Sequence, residues 1–113
     1  MLWTTAKSLV MEELERARDN HEPMNSPHEG YAILQEEVDE LWVEIKDGNG
    51  TTDRGVSEAV QVAAMALRYL IDLCDEEAAE HHEKKVQEWE SAPTIMPDPH
   101  RTSRGYGGGS YSG

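Results

Sequence analysis

Five carboxylates and one amide carry the chemistry this sequence offers. Glu36, Glu37 and Glu40 crowd one stretch, Glu44 follows a turn later, and Glu58 and Gln61 stand in a second stretch rich in valine and alanine. On a helix, residues three or four apart lie side by side, so Glu40 neighbours both Glu36 and Glu37. Each such like-charged pair costs roughly 0.2–0.5 kcal/mol. Acidic helix faces are most often simply solvated. A face that meets a further carboxylate from a buried stripe of a neighbouring helix instead demands a metal, a cation or a proton. Donors that are all oxygen suit Mg²⁺ or Mn²⁺ rather than zinc.

The second stretch supplies that further carboxylate. Between Val56 and Cys74, Glu58, Gln61, Met65, Arg68 and Asp72 share one sector at 100° per residue, and the rest is almost wholly apolar. A helix of this kind is expected to be buried, so the polar stripe must face something. An antiparallel hairpin about Gly48–Gly50 sets Glu40 opposite Glu58 to Gln61, with Glu37 about a turn further along. Arg68 lies ten residues from Glu58, about 15 Å along a helix axis. A metal is therefore the simpler partner for Glu58.

The elements that must position these groups are all helical. Trp3, Ala6, Val10, Leu14 and Ala17 recur at steps of three and four over Leu2 to about Asp19. His21 to Asn25 breaks the pattern at Pro23. Ser26, Pro27 and Glu29 then form a capping box with proline at the first helical position. That helix runs to about Lys46, with Tyr31, Leu34, Val38, Leu41 and Ile45 as its expected core face. Gly48 is expected to be its left-handed terminator. Thr52 or Asp53 caps the next helix, from about Val56 to Cys74. Asp75 to Glu90 is a further polar helix, joined by either a bend or a break. We expect an all-α fold, a small helical bundle over residues 1–90 with a central antiparallel hairpin. Residues 91–113, rich in Pro, Gly, Ser and Tyr, read as a flexible C-terminal tail. The second hairpin helix has more apolar circumference than one short chain covers, which predicts a homodimer or homotetramer.

Composition narrows the function. A net charge of −13 over 113 residues excludes sequence-independent binding of a nucleic-acid polymer, which relies on Lys and Arg. A phosphate ligand is still accommodated where a cation bridges the charges. Cys74 is the sole cysteine, so no intrachain disulfide exists and a reducing cytoplasm fits. Its apolar surroundings predict a buried, inert thiol. Leu2 to Val10 mixes Thr, Lys and Ser into its apolar residues, unlike a signal peptide, and Ala59 to Leu73 is too short to span a bilayer.

Glu36-Glu37-Val38-Asp39-Glu40, followed by Glu58-Ala59-Val60-Gln61, resembles the EExxE…ExxD signature of the all-α nucleoside triphosphate pyrophosphohydrolases, the MazG-like superfamily. The 17 residues between Glu40 and Glu58 fit that family's inter-motif distance. The likeness covers about Pro27 to Leu73. The entry His28-Glu29-Gly30-Tyr31 and the run from Glu58 to Arg68 look like small single-domain, often phage-borne members. The resemblance implies hydrolysis of a (deoxy)nucleoside triphosphate to the monophosphate and pyrophosphate, for pool control or sanitation. It further implies that Glu37, Glu40 and Glu58 bind Mg²⁺, with Mn²⁺ as a substitute. Glu36 would bind a further metal or orient and deprotonate the attacking water.

Gln61 departs from the family pattern, which has Asp there. Its carbonyl can ligate a metal but brings no charge. Asp72, on the same stripe, is too far to serve that ion and is a candidate for a second ion near Glu29. Arg68 and Lys46 are candidate phosphate ligands, and an ion pair with Glu29 or Asp72 is an equal reading for Arg68. Trp3 and Trp42 are candidates for base stacking, although packing is the commoner role. His81 and His82 point to different sides of a helix, which favours a solvated face over a metal tract. A rival reading is a non-catalytic acidic helical interaction protein, or a degenerate family member, and Gln61 keeps it open. A di-iron carboxylate bundle is disfavoured, because no Glu has a His three residues later.

Overall fold

The computed structural model describes residues 1–91. Four helices follow one another: α1, Trp3–Asn20; α2, Pro27–Lys46; α3, Asp53–Leu73; and α4, Glu76–Ser91. No strand occurs among the described residues, so the all-α bundle expected from periodicity is what forms. The chain divides into two compact units, Met1–Glu76 and Glu77–Gly113. Of the expected tail, residues 91–113, Ser91 is instead the last residue of α4, and the remainder lies outside the described residues.

Within the first unit α3 is the shared partner. Both α1 and α2 pack against it, and among the described residues α1 and α2 do not pack against each other. The small core joins Leu14 and Ala17 of α1 to Ala64 and Met65 of α3, with Val10, Ile33, Leu34 and Leu67 packed around them. Met24, in the segment between α1 and α2, is also buried. An open cleft is left between α1 and α2, floored by α3.

Local signals set the helix ends. The Ser26 hydroxyl accepts the Glu29 N–H at 3.1 Å, and Pro27 takes the first helical position. The Glu29 carboxylate reaches back to the Asn25 N–H, one residue before the cap. At the other end, Gly48 has φ +82°. The Gly48 N–H donates to the Ile45 carbonyl at 3.1 Å and the Asn49 N–H to the Glu44 carbonyl at 2.8 Å, a Schellman closure.

Thr52 sits at the N-cap of α3, but its side chain does not cap the helix. Its hydroxyl instead donates to the Asn49 carbonyl at 2.8 Å. That same carbonyl accepts the Gly55 N–H at 3.1 Å, so loop backbone does the capping. The loop consequently lies directly on the first turn of α3. A Cβ at position 55 would meet the Gly50 carbonyl oxygen at 2.0 Å, which no side chain allows. At the opposite end of the hairpin, a Cβ at Gly30 would meet the Tyr69 ring at 2.7 Å. Two close approaches thus clamp α2 to α3, and the carboxylates lie between them.

Two expectations about burial are corrected. The α2 face taken as core, Tyr31, Leu34, Val38, Leu41 and Ile45, is rotated from the face that packs. Tyr31 keeps 64% of its surface exposed, and Val38 and Ile45 are also exposed. The packed face runs through Gly30, Ile33, Leu34, Glu37, Leu41 and Glu44. By contrast, α3 is left partly uncovered by one chain as its apolar circumference implied, since Ala59, Ala66, Leu70 and Ile71 are exposed. Cys74, expected to be buried, is exposed. It ends α3 in extended conformation, so a break, not a bend, separates α3 from α4. In the second unit, α4 has no buried residue, and His81 and His82 are exposed on it.

Candidate metal centre

The rotation of α2 has a chemical consequence: it turns a glutamate into the seam. Glu37 and Glu40 from α2 meet Glu58 from α3, and one oxygen from each lies within 4.8 Å of the other two. The hairpin register expected from sequence therefore holds. Gly55 and Gly48 are what fix it, because they set how α2 reverses into α3.

Three carboxylates this close repel one another, so in the absence of a cation the cluster binds protons more tightly than free carboxylates do. Burial first, then the charges of Glu40 and Glu58, push the Glu37 carboxyl from 4.5 up to about 7. Burial and the charge of Glu40 also raise Glu58. Glu40 is the neighbour that both shifts share, with a carboxylate oxygen within 4.8 Å of one on each of them. Glu37 thus holds a proton near neutral pH, in a cluster that a hard divalent ion would also neutralise. Its donor set is all oxygen and partly exposed, which suits Mg²⁺ or Mn²⁺ and leaves room for water and phosphate ligands.

The cluster meets the cleft between α1 and α2, a space of about 430 Å³, at Glu37 alone. Glu36 and Gln61 also line the cleft, so the motif's first and last positions face the same space. Glu36 is exposed.

The other candidates are placed elsewhere. The Asp72 carboxylate accepts the Met24 N–H at 3.0 Å and faces Arg68 at 3.9 Å. It therefore anchors the segment between α1 and α2, and it is not among the carboxylates brought together. Arg68 is buried, with 4% of its surface exposed, and its Nη2 donates to the Glu22 carbonyl at 3.1 Å. Of the partners considered for it, Asp72 is the one found. Lys46 lies 5.8 Å from the Trp42 ring centroid, and Trp3 is stacked by Lys7 at 5.1 Å. Trp3, Trp42 and Lys46 do not line the cleft.

Sequence reasoning missed Met24, Gly30 and Gly55 as positioning residues. Gly55 had a legible signal, a glycine inside the first turn of a helix. Met24 had none, because its burial depends on Asp72, far along the chain. Compared with protein-family models, with curated proteins and with solved structures, the chain matches none.

Proposed function

We propose that this protein is a metal-dependent nucleoside triphosphate pyrophosphohydrolase, acting on a (deoxy)nucleoside triphosphate in the cytoplasm. One observation carries the reading: Glu37, Glu40 and Glu58, from two helices, converge to 4.8 Å beside a cleft that Glu36 also lines. The spacing of those residues and their likeness to the MazG-like signature add to it.

Glu37, Glu40 and Glu58 would hold Mg²⁺, or Mn²⁺ in its place. The bound ion supplies neutralisation of the triphosphate and Lewis acidity at its phosphoryl groups. The clamped α2–α3 hairpin pre-organises the carboxylates, so little reorganisation is needed when substrate arrives. Glu36 orients the attacking water and takes its proton as oxygen bonds to the α-phosphorus. The bond to the bridging oxygen breaks, leaving the monophosphate and pyrophosphate. Gln61 offers a neutral oxygen where the family carries a carboxylate, so the site holds one negative charge fewer.

The exposed apolar faces of α2 and α3 join across the hairpin in a groove lined by Tyr31, Leu34, Ala66, Tyr69 and Leu70. Contiguous apolar surface of this kind favours association, and a homodimer or homotetramer is part of the proposal. No described helix is long and apolar enough to cross a membrane.

The deciding experiment is a panel of standard and damaged (d)NTPs with Mg²⁺ or Mn²⁺, scored for monophosphate plus pyrophosphate. Turnover that needs the cation supports the reading. Absence of pyrophosphate from every nucleotide would leave an acidic helical interaction protein.

A further inference from the structure

We propose that Arg68 reads a carbonyl oxygen on the nucleotide base, and that the protein therefore discriminates against adenine, the one common base without a carbonyl. This rests on the pyrophosphohydrolase reading and adds a substrate preference to it.

The starting point is an underused guanidinium. Arg68 is almost wholly buried, yet two of its three nitrogens lack a strong acceptor. Nη1 has only the Met65 thioether, at 3.5 Å. Nε has no hydrogen-bond partner, is itself shut off from solvent and lies 3.9 Å from the Asp72 carboxylate, so Nη1 is the donor left for a ligand. Thioethers are weak acceptors, and a buried donor left unmet costs about 1–3 kcal/mol. The residue is nevertheless held firmly. Its Nη2 donates to the Glu22 carbonyl, and Asp72 is itself fixed by the Met24 N–H. A rigid donor with spare capacity is what a recognition site requires.

Arg68 and Met65 both line the cleft that reaches Glu37. What enters is decided by the walls. Glu13, Glu29, Glu36 and Glu37 line it too, and Arg16, its other arginine, is bound to Glu13 at 2.7 Å. An anion is disfavoured by that balance, and the charge of Arg68 already faces Asp72. The phosphates belong at the cation between Glu37, Glu40 and Glu58. The group that fits beside Arg68 is neutral, planar and acceptor-bearing. About 430 Å³ falls in the usual range for a ligand pocket and admits a base. Guanine, cytosine, uracil and thymine each present a carbonyl, and adenine does not. Arginine's forked donors suit such an oxygen.

The test compares bases that differ by that oxygen. The full chain with Mg²⁺ is given dGTP, the 2-aminopurine deoxynucleoside triphosphate, dCTP, dTTP and dATP, and kcat/KM is measured for each. Nucleotides without the carbonyl should fall at least about tenfold below those with it. In Arg68→Lys, checked for folding by circular dichroism, the difference between dGTP and the 2-aminopurine analogue should shrink to about twofold or less. If the variant does not fold, the base series on the unaltered protein still decides. Equal turnover of dGTP, the 2-aminopurine analogue and dATP overturns the assignment while leaving the hydrolase reading intact. A preference that survives in folded Arg68→Lys overturns the role of Arg68. No pyrophosphate from any nucleotide overturns both readings together.

Discussion

Glu40 on α2 and Glu58 on α3 each bring a carboxylate oxygen to within 4.8 Å of the other across the hairpin, although both are acids. Their like charges oppose the contact, and a proton or a cation between them relieves that repulsion. Adding a cation should therefore stabilise the fold, because binding to the folded state alone raises its stability. We expect millimolar Mg²⁺ or Mn²⁺ to raise Tm by on the order of 5 °C. Differential scanning fluorimetry with and without EDTA measures it, and an unchanged Tm would count against a metal centre. Gln61→Asp should increase the shift by adding a charge to the site.

Without metal, stability should depend on pH through Glu37. Its folded pKa, about 7, lies above the unfolded value of 4.5. Between those values the folded state binds more protons, so unfolding free energy falls as pH rises. The favourable contribution is complete below pH 4.5 and gone above pH 7. Tm in EDTA should decline from pH 5 to pH 8, and Glu37→Gln should flatten that decline. Saturating Mg²⁺ should flatten it too, by replacing the proton.

Turnover should depend on the converging carboxylates individually. Glu37→Gln, Glu40→Gln and Glu58→Gln are each expected to lower kcat by at least about 100-fold, with the helical circular dichroism signal unchanged. Glu36→Gln should lower kcat with little effect on the Mg²⁺-induced Tm shift, separating proton transfer from ion binding. Retained activity in Glu37→Gln would remove that residue from the site.

The glycines of the α2–α3 turn should be sensitive to single methyl groups. In Gly55→Ala the new Cβ would sit 2.0 Å from the Gly50 carbonyl oxygen, so backbone must move. We expect a loss of about 1–3 kcal/mol in urea unfolding. Gly48→Ala, where φ is +82° and the surroundings are open, should cost about 1 kcal/mol from strain alone.

The exposed apolar faces should govern association. Tyr31 and Leu70 line one groove between α2 and α3. Light scattering after size-exclusion chromatography should give a dimer or tetramer for the unaltered chain, and Leu70→Glu should shift it to monomer. A monomeric unaltered chain would remove self-association from the proposal.

The sequence alone determined what local chemistry controls. The start of α2 follows from Ser26, Pro27 and Glu29, and its end from Gly48, because caps and left-handed turns involve only neighbours. The hairpin register followed from loop length, which brought Glu37 and Glu40 level with Glu58. Which face of α2 packs was not legible. The heptad spacing of Tyr31, Val38 and Ile45 marks an apolar stripe, but periodicity does not say what covers it. Tertiary structure decided that α1 and α2 divide α3 between them, which turned Glu37 inward and opened the cleft. It also decided that Asp72 holds Met24 and that Arg68 is buried with donors to spare. Those contacts join segments far apart in the chain, so their energies depend on how whole helices dock and not on the residues beside them.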